Sequence, residues 1–503
     1  MSRRGCVYVV GAGPGDPGLI TVKGQEALRR ANVVVYDHLV SPRLLKQCSP
    51  TAKLVYVGKE ADKHTAPQGS INRLLIREAN AGKSVVRLKG GDPFLFGRGG
   101  EEAEELVKAK IPFEIVPGVT SAIAVPAYAG IPVTHRRYAS SVAILTGHED
   151  PAKKGSSIRW PQLATATDTL VCLMGVSRLP AIVAELCRHG RPVSTPCAVI
   201  AWGTRATQRT VTATLSTIAA AVTSAGLRPP AILVVGEVVR LRKQLNWFER
   251  KPLFGKRLLV TRAQEKAASL SNQLEALGAE VEELPAIALA PVPSNGAFKT
   301  LVASLPNTDW VFFTSPEGIG WFREMLKPHR KDLRILSGCH IGAIGSKTAV
   351  AIESLGLHVD FVPKQYSQEG VLNDFPRRLL KGKRAVILSA KGSRDVLEHG
   401  LRARGMQVVK GSIYQTVIPK ALRQSATTLF ERPFDAVTVT SASCVDHLHE
   451  ALVAAGKATL FRHLRFASIG PITSAAVRAR GGRVAIEAKI STIEGLVDAI
   501  QHV

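Results

Sequence analysis

The sequence predicts an α/β protein of more than one folding unit, on three observations. Short apolar runs alternate with helix-period segments along the whole chain. At 503 residues the chain exceeds what one ordinary core encloses. The second half also repeats a four-part pattern at a spacing of 125 or 126 residues. A composition of 45% hydrophobic and 21% charged residues is that of a globular protein without low-complexity stretches.

In the front half, Val7–Val10, Val33–Tyr36, Val85–Leu88, Phe113–Val116, Val199–Trp202 and Ala231–Val235 are short apolar, strand-like runs, each followed by a turn-rich loop. Leu179, Ile182, Val183 and Leu186 fall at i, i+3, i+4 and i+7, the stripe of a helix with one buried face. A boundary lies at 242–256, which is charged and carries Pro252 and Gly255. A fresh strand is predicted at Leu258–Thr261. The helix after it places Leu270, Leu274 and Leu277 on one face and stops at Gly278. The repeat follows. Its first copy runs Asp309–Ser315, Ile344–Thr348, Gly356 and Glu369-Gly370, and its second Asp435–Ser441, Ile469–Thr473, Gly481 and Glu494-Gly495. Two similar lobes follow from this, with the natural ligand site in the cleft between them.

Several function classes drop out early. Seven cysteines at irregular spacing, without a C-x-x-C pair, fit reduced thiols. The thirteen histidines form no helix-face pair, and His447 and His449 stand at the wrong offset for one. No metal is expected. No apolar run approaches the roughly 20 residues that cross a bilayer, and the N-terminus lacks a leader's apolar stretch, so no membrane and a cytoplasmic location are expected. The net charge of +26 is spread over both halves, +15 in residues 1–250 and +11 in 251–503. Aromatic residues are only 5% and are not interleaved with basic runs, which argues against a nucleic-acid surface. A basic surface equally attracts a small substrate bearing many carboxylates.

Three motifs sit at strand-to-helix junctions. Gly11–Asp16 imitates a dinucleotide fingerprint, but Asp16 occupies the third glycine position, and Pro14, Pro17 and Gly18 fill what should be the first helical turn. Val85–Glu102 runs from a strand into a glycine turn carrying Asp92, then into a helix starting near Gly99 with Glu101 and Glu102 in its first turn. Val116–Ser121 leads into another helix, with Thr120 and Ser121 placed either to cap it or to reach a ligand.

These motifs, with Tyr36-Asp37, Val57–Lys59, Gly130–Arg136, Leu145–His148, Met174-Gly175, Gly203-Thr204 and Leu245–Phe248, make the front half resemble the uroporphyrinogen-III C-methyltransferases. The resemblance covers about residues 5–248 and implies a two-lobed tetrapyrrole methylase fold with S-adenosylmethionine between the lobes. It implies cofactor contacts at Pro14, Gly90, Gly91, Asp92, Leu95, Thr120, Ser121, Met174 and Gly203. It also implies Asp37 as proton acceptor and Lys59 as proton donor; the competing reading is that this pair only orients the substrate or each other. Glu60 departs from the pattern, since a basic residue is common there. The family implies a homodimer through this half.

Val260–Arg262, Phe313–Ser315, Ile344-Gly345, Phe361–Pro363, Ile413–Thr416, Ile469-Gly470 and Thr492–Gly495 make the back half resemble the uroporphyrinogen-III synthases. That resemblance implies a two-lobed synthase fold, with lobe one about 257–290 plus 417–503 and lobe two about 291–416. The domains expected are thus 1–248, a linker at 249–256, and 257–503. It implies Tyr414 as the catalytic candidate, against a core or hinge tyrosine. Thr314, Ser315, Thr348, Thr440, Ser441 and Thr473 are expected to meet the carboxylates of a tetrapyrrole. The expected function is closure of hydroxymethylbilane to uroporphyrinogen III and its double methylation to precorrin-2. A same-fold RNA methyltransferase and a methyltransferase with a silent tetrapyrrole-binding partner are the rivals.

Overall fold

The structure, a computed structural model, describes residues 5–58, 67–148, 156–293, 296–376, 378, 380–425 and 429–502. The chain divides near residue 258 into two compact units, with residues 272–281 grouped to the first. No helix among the described residues is long and apolar enough to cross a membrane.

The front unit holds two five-stranded sheets. The first runs Lys53–Tyr56, Val33–Tyr36, Val85–Lys89, Val7–Gly11, Phe113–Val116, all parallel. Its central strands are buried on both faces, which is why they read as unbroken valine-rich runs. The second runs Val142–Thr146, Thr169–Leu173, Ala231–Val235, Pro196–Ala201, Arg209–Thr214, with its first pair parallel and the others antiparallel. Helix Leu179–Arg188 packs on it through Leu179, Ile182 and Leu186. The strand expected at Val199–Trp202 is Pro196–Ala201 instead, and Trp202 has turned out of it with φ 50. Val142–Thr146 and Thr169–Leu173 also carry four-residue apolar runs, and sequence reasoning missed them together with Arg209–Thr214.

The back unit also holds two five-stranded sheets. One runs Glu280–Glu283, Arg257–Val260, Ala436–Val439, Arg465–Ser468, Arg483–Glu487. The other runs Ala288–Pro291, Gln407–Val417, Arg384–Ala390, Trp310–Phe313, His340–Ala343. The chain therefore leaves one lobe before residue 288, earlier than the sequence placed it, because Ala288–Pro291 pairs antiparallel with Gln407–Val417 of the second sheet. Helix Gln264–Ala276 seats Leu270 and Leu274 in the core, and Gly278 takes φ +98 beyond its end.

The internal repeat has a physical basis in a matched pair of helix starts. Ser367 accepts from the Gly370 N–H at 2.9 Å, and Thr492 accepts from the Gly495 N–H at 3.0 Å. A Cβ at Gly370 would stand 1.9 Å from the Gln365 carbonyl oxygen, and one at Gly495 2.3 Å from that of Ile490. Both copies thus start the same helix with the same cap and the same close backbone approach, so both keep glycine there.

Candidate functional site

In the front unit the parallel sheet presents its carboxyl-terminal strand ends to one cleft, where α/β sheets bind ligands. The loops there, with those of the second sheet, enclose a cavity of about 650 Å³. Pro14, Gly90, Gly91, Asp92, Leu95, Thr120, Ser121, Met174 and Gly203 all line it, and so does Asp37. Lys59 and Glu60 lie outside the described residues.

Each loop is built by identifiable contacts. The run after Val7–Gly11 does not enter an α-helix. It makes the short turn Pro17–Leu19, and the helix starts only at Val22. Asp16 caps that turn through the Gly18 N–H at 2.7 Å and accepts the Tyr128 hydroxyl at 2.7 Å. Burial, then that bond, pushes the Tyr128 phenol up. The Asp92 carboxylate accepts three backbone N–H groups: Phe94 at 2.8 Å, Leu95 at 3.1 Å and Gly118 at 3.0 Å. It therefore ties the loop after Val85–Lys89 to the loop after Phe113–Val116. Thr120 caps helix Ser121–Tyr128 through the Ala122 N–H at 3.2 Å. At Gly203 a Cβ would stand 2.3 Å from a Val125 methyl, so only glycine lets the two lobes close at this point.

Backbone strain gathers at the same place. Seven described non-glycine residues take a left-handed φ; Phe96, Met174 and Trp202 line the cavity, and Arg98 and Thr204 flank it. Such residues persist where the surrounding structure over-determines them.

Sequence reasoning missed two groups here. His38, Trp202 and Arg205 form one wall, with the Arg205 guanidinium 5.1 Å from the Trp202 ring and donating to the Leu39 carbonyl at 2.9 Å. Arg87 and Glu102, exposed by 4% and 1%, lie behind the lining, while Lys89, exposed by 5%, lines the cavity itself. Burial, with Arg87 beside it, pushes the Lys89 ammonium down against the pull of Glu102. A signal existed: Arg87 and Lys89 are charges two apart in a buried strand and so share one face.

In the back unit Tyr414 lies on strand Gln407–Val417, 7% exposed, with its hydroxyl 2.8 Å from the Ser315 Oγ. Burial pushes its phenol up, partly offset by that bond. Two residues beyond Ser315, Glu317 pairs with Lys266 at 2.6 Å. The Thr314 hydroxyl donates to the Leu388 carbonyl at 3.3 Å. Thr440 follows strand Ala436–Val439, and Ser441 caps the next helix through the Cys444 N–H at 3.3 Å. Thr348 and Thr473 are each the third residue of a helix and are buried, at 3% and 4% exposed. The N-cap positions of those helices are Gly345 and Gly470, which bring no side-chain acceptor. Their first-turn N–H groups are the donors these junctions offer an anion.

Residues 6–219 match the family model of tetrapyrrole (corrin/porphyrin) methylases, and residues 268–498 match that of uroporphyrinogen-III synthase HemD. A porphyrin biosynthesis protein HemD from Ruminiclostridium josui is 37% identical across 100% of this chain and 98% of its own length. A uroporphyrinogen-III C-methyltransferase from Bacillus subtilis is 40% identical over 77% of each chain. An S-adenosyl-L-methionine-dependent uroporphyrinogen III methyltransferase from Methanosarcina barkeri is 53% identical over 48% of this chain and 95% of its own.

Proposed function

This chain belongs to the family that joins a tetrapyrrole methylase to a uroporphyrinogen-III synthase, and from that premise we propose a bifunctional enzyme. Its back half closes hydroxymethylbilane to uroporphyrinogen III. Its front half methylates that product twice, at carbons 2 and 7, to give precorrin-2. The observation that carries this reading is the convergence of nine family-matched residues and Asp37 on one cavity.

The cavity suits S-adenosylmethionine in size and lining. About 650 Å³ lies within the range of small-ligand sites, and backbone at Gly90 and Gly91 stands beside apolar Leu95, Val125 and Ile200. When bound, the cofactor supplies an electrophilic methyl group carried on a sulfonium. The loops held by Asp92 orient it, and the apolar wall excludes water. Methyl transfer to a ring carbon leaves a proton to be removed, and Asp37 stands at the cavity to accept it. Lys59 is the matching donor by family position. In the back half, the open helix starts hold substrate carboxylates, and the Tyr414 phenol donates a proton to the departing hydroxyl, which leaves as water. The excess of basic charge in both halves suits a polycarboxylate. The domain division at 249–256, a homodimer through the front half and a cytoplasmic location belong to the same reading.

Purified protein is incubated with hydroxymethylbilane, with and without S-adenosylmethionine, and the porphyrin isomers are separated. Type III isomer without the cofactor and a dimethylated product with it are expected. Spontaneous type I isomer alone would remove the synthase from this account.

A further inference from the structure

Arg87, Lys89, Glu102 and Asp37 form one connected set of charges at the cavity. Glu102 sits in the first turn of helix Gly99–Lys108 and is 1% exposed. Three donors converge on its Oε1: Gln68 Nε2 at 3.0 Å, Lys89 Nζ at 3.1 Å and Arg87 Nε at 3.2 Å. Its Oε2 is buried and has no hydrogen-bond partner among the described residues. Arg87 extends beyond Glu102. Its Nη1 donates to the carbonyls of Leu88 at 3.1 Å and Val35 at 3.4 Å, and its Nη2 stops 3.5 Å from the Asp37 Oδ2.

Two cations and two carboxylates, three of the four buried, are an expensive set of groups to gather at a ligand site. Apolar residues of similar volume usually give equal or better stability, so stability alone does not account for the set. The geometry around Arg87 supplies a different account. A guanidinium is a rigid fork that closes on a carboxylate with two short bonds wherever it is free to turn. Here Nε is taken by Glu102 and Nη1 by two carbonyls, so only the far Nη2 meets Asp37, at the long limit of a hydrogen bond.

We infer that Glu102 is a positioning residue for Asp37: by holding the Arg87 fork it stops that cation from closing on the Asp37 carboxylate, which stays available to accept the substrate's proton. This rests on Asp37 as the proton acceptor of the front half. Glu102 does not line the cavity. Lys89 and Gln68 are the other groups on its carboxylate, and they keep the Oε1 in place while Arg87 is shared.

The test is a double-mutant cycle in the full chain: wild type, Glu102→Gln, Asp37→Asn and the double variant. Methylation of supplied uroporphyrinogen III is measured at saturating S-adenosylmethionine, with cofactor affinity measured by calorimetry. The glutamine keeps the shape and removes the charge that holds Arg87. Glu102→Gln is expected to lower kcat by about tenfold while cofactor affinity stays within about twofold. In the Asp37→Asn background the same change should alter kcat by less than about twofold, because the residue it acts through is already gone. An equal loss in both backgrounds, or no loss in the wild-type background, overturns the inference. Wild-type kcat in Asp37→Asn alone overturns instead the assignment of Asp37, whatever Glu102→Gln does. Thermal melting shows whether Glu102→Gln folds. If it does not, Arg87→Gln takes its place. That change removes the cation itself, so kcat should stay within about threefold of wild type, and a loss above about tenfold overturns the inference.

Discussion

Replacing Asp92 by asparagine tests whether this carboxylate acts by shaping the cofactor loops. Its Oδ1 accepts from Phe94 and Leu95 and its Oδ2 from Gly118. An asparagine can keep its oxygen toward the first pair, but then its NH2 faces the Gly118 N–H, donor against donor. A hydrogen bond to a charged acceptor contributes about 1.5–3 kcal/mol, so about 2 kcal/mol is lost where the two loops are joined. If the loss falls on the ordered, binding-ready loops, S-adenosylmethionine affinity drops about thirtyfold. Asp92→Ala frees all three N–H groups and should cost more in both affinity and melting temperature. Calorimetric titration and thermal unfolding of the full chain read both quantities. A variant that binds and melts like wild type would refute the reasoning. Lost affinity with unchanged melting in Asp92→Asn would mean that the carboxylate acts on the cofactor directly.

Three further outcomes are expected. Gly203→Ala puts a methyl 2.3 Å from Val125 and should cost about 1–3 kcal/mol in chemical denaturation, with weaker cofactor binding. Tyr414→Phe removes the hydroxyl that bonds Ser315. It should lose about 1 kcal/mol of stability and most of the type III isomer formed from hydroxymethylbilane. The hydrogen bonds from Lys83 and Arg77 hold the Glu78 carboxyl at about 2, below its usual 4.5. A depressed folded-state value stabilises fully above pH 4.5 and is lost as pH falls through about 2. Denaturation midpoints of Glu78→Gln should therefore fall less steeply over that interval than those of wild type.

Legibility in the sequence followed burial and backbone, and it failed where side chains meet across long chain separations. Val7–Val10 and Val33–Tyr36 were readable because a strand covered on both faces is apolar at every position. Arg209–Thr214, an edge strand with exposed and half-buried residues, has no such pattern. The nine positions proposed for the cofactor came from the family resemblance, and all of them line one cavity. The wall of His38, Trp202 and Arg205 brings residues more than 160 positions apart together, and no local rule announces that. Glu102 read as an ordinary acidic residue in a first helical turn, although its carboxylate turns inward onto Arg87 and Lys89. In the back half, the repeat exposed the four helix starts, but not that Thr348 and Thr473 are buried.

The central claim is methyl transfer to uroporphyrinogen III from the front cavity. It is tested most directly by incubating the purified chain with uroporphyrinogen III and isotopically labelled S-adenosylmethionine under reducing conditions, then counting and locating the label by mass spectrometry and NMR. The account predicts two labelled methyl groups, at carbons 2 and 7, and none in a variant with the cavity blocked at Gly203. Recovery of unlabelled uroporphyrinogen III from the wild-type protein, with the cofactor bound in that cavity, would contradict it.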